Sequence, residues 1–190
     1  DTGHDALPEP VVRTLRRSLL DTLAAALAGA TTPTAAALRR YATTRRAGAD
    51  APGQARLIFD GRRCDPVAAA LVAGGSIDSI DIHDGYALAK GHAGAAVIPA
   101  LFAAGEVWPP ATFGEVLAAL AVGYEVALRA GVALHALSPV YQTSGAWNAL
   151  GAAAVAARLG GFGTAATASA LGTAGRRAGG REPRRALLER

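Results

Sequence analysis

Residues 78–92 read D-S-I-D-I-H-D-G-Y-A-L-A-K-G-H and hold three of the chain's nine aspartates, two of its four histidines and its single lysine. Carboxylate, imidazole and ammonium groups beside an apolar run are what proton transfer or recognition of an acid requires. If the segment is helical, Asp81 and Asp84 share a face with Ile77 and Ile80. Two inward carboxylates repel, so one of the pair would keep a proton near neutral pH. The plainer reading is that each caps a helix end or pairs with an arginine.

His92 precedes an apolar helix predicted from Ala93, where an imidazole can serve as acid or base near physiological pH, or simply stand as a surface cap residue. Lys90 stands out because the other eighteen basic residues are arginines, and an ammonium beside glycine could hold a substrate carboxylate, though a solvated lysine is the plainer reading. Asp78, Asp81, His83, Asp84 and His92 also form an oxygen and nitrogen set. Their spacing matches neither H-E-x-x-H nor an EF-hand loop, so no metal is expected. A second polar cluster, residues 141–145 (Y-Q-T-S-G), follows Pro139 and precedes a helix. Its Gln142, Thr143 and Ser144 could rim an anion site at the helix start, or simply cap it. His4 and His135 stand apart as structural or solvent-facing residues.

The elements that position these groups are helical. Pro8 and Pro10 suit a helix start, and Val11, Leu15, Leu19, Leu23 and Leu27 recur every four residues up to Gly29. A second helix spans 34–47, with Arg39, Arg40, Arg45 and Arg46 on a solvated face. Asp60-Gly61 between short arms predicts a hairpin over 56–64, the one convincing piece of β-structure. Pro66 opens a third helix, which Gly74 and Gly75 would close or bend. Residues 93–105 form a fourth, Thr112 and Glu115 supply a capping box for a fifth reaching about His135, and 145–159 form a sixth.

Composition fits an all-α bundle, since 51% of the 190 residues are apolar and small side chains dominate. The net charge of +4 belongs to residues 176–190, where six arginines face two glutamates; the remaining thirteen basic and thirteen acidic groups cancel. A neutral body lacks the broad positive face that nucleic acid needs. The lone Cys64 excludes an internal disulfide and fits a reducing, cytoplasmic setting. The apolar run 93–105 is too short for a membrane span, which takes about 20 residues. Glu115, Glu125 and Arg129 interrupt the longer run, so a soluble protein is expected. After Leu171 the apolar period fails, and 172–190 reads as a basic tail of doubtful relation to a domain over 1–171.

Four blocks in order, A-A-L-V-A-G-G-S-I-D-S-I-D-I-H-D-G, G-H-A-G-A-A-V-I-P-A-L, G-Y-E-V-A-L-R-A-G and Y-Q-T-S-G-A-W-N-A-L-G, resemble the MmgE/PrpD family over residues 8 to about 172. That family includes 2-methylcitrate dehydratase, cis-aconitate decarboxylase and an iminodisuccinate epimerase. The resemblance implies a truncated helical domain that members complete with a smaller α+β domain, usually in a homodimer. It also implies lyase or isomerase chemistry on di- or tricarboxylic acids, by proton transfer without a cofactor.

Carried over by position, the resemblance makes Asp81 and His92 the acid/base residues, with Lys90, His83, Asp84, Gln142, Thr143 and Ser144 around the substrate. His83 replaces an aspartate and Ala93 a proline of the family pattern, which implies a different substrate. Gln142 stands where members commonly carry a histidine. Family chains continue beyond twice this length, and the arginine-rich tail begins where the similarity stops, as truncation or a frameshift would produce. A non-catalytic fragment, or the helical subunit of a split enzyme, is the alternative expectation.

Overall fold

In a computed structural model of the protein, residues 6–45, 53–110 and 112–178 are described. They form seven α-helices and one two-stranded antiparallel sheet, the all-α architecture with a short hairpin that the sequence implies.

Helix α1 spans Glu9–Gly29, with a proline in its first turn where the missing amide costs nothing. Its buried stripe is Val12, Leu15, Thr22, Ala25, Ala26 and Gly29, not the four-residue leucine row. Such a row drifts about 40° per step on a 3.6-residue helix. Its members Val11 and Leu27 consequently end up exposed. Helix α2 spans Pro33–Arg45. On it Arg40 is exposed and Arg39 half-buried, while the side chains of Arg45 and Arg46 lie outside the described residues.

Strands β1 (Ala55–Arg56) and β2 (Arg63–Cys64) pair in the register Ala55 with Cys64 and Arg56 with Arg63. Ala55 and Cys64 turn inward and the arginines outward, the two-residue alternation of a half-buried ribbon. Gly61 supplies the positive φ of 81° in the turn.

Helix α3 (Pro66–Asp78) opens on Asp65, whose carboxylate accepts from Val67 N and Ala68 N. It continues through Gly74 and Gly75 instead of closing there. Helix packing decides these two positions. A Cβ on Gly75 would collide with the Leu38 side chain of α2, and one on Gly74 would lie 3.1 Å from the Ala95 carbonyl. That carbonyl belongs to α4 (Gly94–Val107), where Pro99 has no amide to give it.

Helix α5 (Phe113–Leu137) starts with the full Thr112/Glu115 capping box. Among the described residues it alone is long and apolar enough to cross a membrane. Its buried residues, among them Leu117, Leu120, Gly123, Ala127 and Gly131, instead serve the core shared with α4 and α6 (Gly145–Leu159). Helix α7 (Thr164–Ala178) was not legible in the sequence, and it runs across residue 172, where the basic tail was expected to begin.

Two apolar clusters result. The larger gathers Val12, Leu15, Val97, Ile98, Leu101, Leu117, Leu120, Trp147 and Val155. The smaller lies beneath the hairpin around Leu57, Cys64, Val72 and Ala42.

Candidate active site

Helix α3 stops at Asp78, and the chain then turns irregularly to the start of α4. The expected shared helical face of Asp81 and Asp84 therefore does not exist. Asp81 sits at φ 50° and Lys90 at φ 52°, both in the left-handed region. A side chain there costs on the order of 1–2 kcal/mol, less for aspartate than for lysine. Tyr86 and Gly91 form an antiparallel bridge around Lys90 that closes the loop on itself.

This path sends the two carboxylates in opposite directions. The Asp81 side chain is 76% exposed at the mouth of a cleft. Asp84 turns inward, where its Oδ1 meets Thr22 Oγ1 of α1 at 3.5 Å. The Tyr124 hydroxyl of α5 stands against the same carboxyl, though it forms no hydrogen bond of good geometry. These three groups converge on Gly94, where a Cβ would lie only 2.8 Å from each hydroxyl. Burial raises the Asp84 pKa above the usual carboxylate range, with the neighbouring Tyr124 hydroxyl and the histidines opposing that shift. The same burial, together with the Asp84 charge, raises the Tyr124 phenol. The cause is desolvation, not repulsion from Asp81.

His92 is the best-positioned group. Its Nδ1 lies 2.7 Å from the Asp84 main-chain carbonyl, which can only accept, so Nδ1 carries the proton. In a neutral ring the free lone pair is then on Nε2, which lies 3.6 Å from Asp81 Oδ1. The His92 amide donates to Ser144 Oγ at 3.0 Å, and its carbonyl accepts from Asn148 Nδ2 at 2.6 Å. Helix α6 thus clamps the residue from both sides. Because the Ser144 oxygen is used as an acceptor, its proton remains available to an occupant of the cleft.

The cleft, of about 890 Å³, is walled by Leu71, Pro99, Asp78, Asp81, His92 and, from the 141–148 segment, Tyr141, Thr143, Ser144 and Asn148. Of the acid/base and substrate-binding residues expected from the family resemblance, Asp81, His92, Thr143 and Ser144 meet there. Lys90, His83, Asp84 and Gln142 lie outside its lining. Lys90 is exposed, and its carbonyl accepts from Tyr141 Oη at 3.4 Å.

Gln142 joins its backbone to His135, whose Nε2 lies 3.0 Å from the Gln142 carbonyl and whose Nδ1 lies 2.8 Å from Gly131 O. His135 is therefore a structural tie between α5 and the loop, as its isolation in the sequence suggests. His4 lies outside the described residues.

His83 is buried beside His92, their ring centroids 4.5 Å apart at 48°. Burial, and then the charge His92 can carry, lower its pKa, while Asp84, Asp78 and Asp81 pull the other way. Of the five possible metal ligands, the structure brings three together. One ligand atom each from Asp81, His83 and His92 lies within 4.8 Å of the others. Sequence reasoning missed Asn148, Thr22 and Tyr124. Each is a polar side chain set in an apolar helical stretch, which is the available signal for a buried hydrogen-bonding task.

The MmgE/PrpD N-terminal domain family matches residues 1–186. The match extends past residue 172, where the resemblance was expected to stop. A cis-aconitate decarboxylase-like protein of Aspergillus oryzae is 31% identical over 187 residues, covering 92% of this chain and 37% of that protein. The cis-aconitate decarboxylase of Aspergillus terreus is 31% identical over 135 residues, covering 69% of this chain and 27% of that protein. The chain thus spans 27–37% of the length of the curated relatives it matches, and over that span it belongs to the MmgE/PrpD family, matching its N-terminal domain.

Proposed function

We propose that this chain supplies the N-terminal helical part of a lyase that acts on a small di- or tricarboxylic acid by proton transfer, with cis-aconitate as the first acid to test. The observation that carries the reading is the setting of His92: Nδ1 fixed by the Asp84 carbonyl and Nε2 turned toward the cleft and Asp81. A fixed imidazole of this kind takes a proton at Nε2, and the Asp81 carboxylate 3.6 Å away offsets the charge that develops on the ring. In the reverse sense the imidazolium returns the proton to a carbon beside a substrate carboxylate. The Thr143 and Ser144 hydroxyls and the start of α6 offer donors to that carboxylate, supported by the positive end of the helix. Lys90 serves as an outer cation that draws the acid to the cleft mouth. A homodimer, or a complementing domain, would cover the open side.

The relatives named cis-aconitate decarboxylase favour a decarboxylase over a dehydratase or epimerase. The test is to incubate the purified chain, in the presence of a chelator, with cis-aconitate, 2-methylcitrate and iminodisuccinate, following carbon dioxide release, alkene absorbance and deuterium exchange. One acid should turn over, and His92→Gln should lower kcat/KM by about 10²–10⁴. If no acid turns over or exchanges, alone or with the remainder of a relative added in trans, the lyase reading fails.

A further inference from the structure

We infer that Asp81, His83 and His92 form a binding site for a borderline divalent cation such as zinc or cobalt. The His83 side chain is fully buried, and neither of its ring nitrogens has a hydrogen-bond partner in the protein. Leaving both nitrogens of a buried imidazole unmet is costly, and each such orphan requires a physical account. Asp78 Oδ1 lies 3.7 Å from Nε2, beyond hydrogen-bonding distance.

The second observation concerns His92. With the Nδ1 proton committed to the Asp84 carbonyl, the Nε2 lone pair of the neutral ring faces Asp81 Oδ1 across 3.6 Å. Two acceptors pointing at each other repel unless something positive lies between them. That separation is long for a hydrogen bond and close to the spacing of two ligands on one ion. A tetrahedral ion with bonds of about 2.0–2.1 Å holds its ligand atoms about 3.3 Å apart. The three candidate atoms already lie within 4.8 Å of one another. With His92 held by the Asp84 carbonyl, closing the remaining gap needs rotation of the His83 ring and a swing of the Asp81 side chain, which is 76% exposed.

Two imidazoles and one carboxylate select zinc, cobalt, nickel or copper over magnesium or calcium, which prefer oxygen ligands alone. The hydrogen bond from His92 Nδ1 to a carbonyl is the support that metal-bound histidines use to fix their tautomer. If His92 is the base proposed above, cation and proton compete for the same Nε2 lone pair. The cation then acts as an inhibitor, a consequence that rests on that reading, whereas the binding site itself does not.

The test is titration of the chelator-treated chain with cobalt chloride, followed by visible absorption, then displacement by zinc chloride. One equivalent should bind with ligand-field bands, and zinc should remove them. Asp81→Asn and His83→Gln should each weaken binding by no less than about tenfold, since loss of even an outer-shell partner costs 10–100-fold. Absence of the bands overturns the site, as does undiminished binding in Asp81→Asn, an exposed change that leaves the core intact. Turnover in chelator without cobalt uptake would retain the lyase and remove the cation site. Stoichiometric uptake without turnover or exchange of any acid would do the reverse.

Discussion

At the scale of single residues, the neutral form of His83 is part of what the fold stabilises. Its folded-state pKa lies below the ordinary value of 6.5, so on acidification the unfolded chain takes up the proton first. The associated stability is fully present above about pH 6.5 and is lost as the pH falls through the folded-state value. Urea midpoints measured in chelator should therefore decline between pH 7.5 and pH 5.5, and His83→Phe should flatten that decline. An identical slope in the variant would refute the assignment. Lys90 offers a second residue-scale check. At φ 52° a glycine escapes the steric cost that lysine pays. Lys90→Gly should leave stability unchanged or raise it by up to about 1 kcal/mol, while KM for an acid substrate rises because the ammonium is gone.

At the scale of elements, the cleft depends on how closely α1, α3 and α4 approach. A Cβ added to Gly29 would run into the Ser76 carbonyl of α3 and lie 2.7 Å from Ser79 Oγ. The Ser79 hydroxyl donates to Ser76 O at 2.9 Å just after α3 ends, so its position depends on this crossing. Gly29→Ala should cost about 1–3 kcal/mol by forcing the helices apart, measurable as a fall in the chemical-denaturation midpoint. Thr112→Ala removes the cap of α5, whose Oγ1 accepts from Glu115 N at 3.2 Å, and should cost about 1 kcal/mol. The cap lies outside the cleft lining, so this change should lower stability without altering cobalt affinity.

At the scale of the whole molecule, two apolar clusters support different regions. Leu117, with no exposed surface, belongs to the cluster that also holds Trp147 and Val97 behind the cleft. Leu117→Ala should cost about 2–5 kcal/mol. Cys64 lies in the other cluster, beneath the hairpin, fully buried, and burial raises its thiol pKa. Only the thiolate reacts quickly, so the folded chain should resist a thiol-specific reagent and become reactive as it unfolds. Rapid labelling of the native chain would show that the hairpin opens on its own.

The sequence by itself determined the helical class, the hairpin, the capping box at Thr112, and the placement of ionisable groups in residues 78–92. Those features depend on local chemistry: proline and cap positions, Asp-Gly turns and apolar spacing are written in adjacent residues. The family too was legible in four ordered blocks. Only the tertiary structure decided which groups meet. The left-handed turns at Asp81 and Lys90 send Asp84 inward and leave Asp81 at the surface, because α3 ends at Asp78 instead of continuing. Ser144 and Asn148 reach His92 from 52 and 56 residues away, contacts that no local pattern encodes. Helix packing likewise kept Gly74 and Gly75 inside α3, where local propensity argued for a break. Function sits on the non-local side of that division, since a proton-transfer group is defined by what its neighbours hold in place.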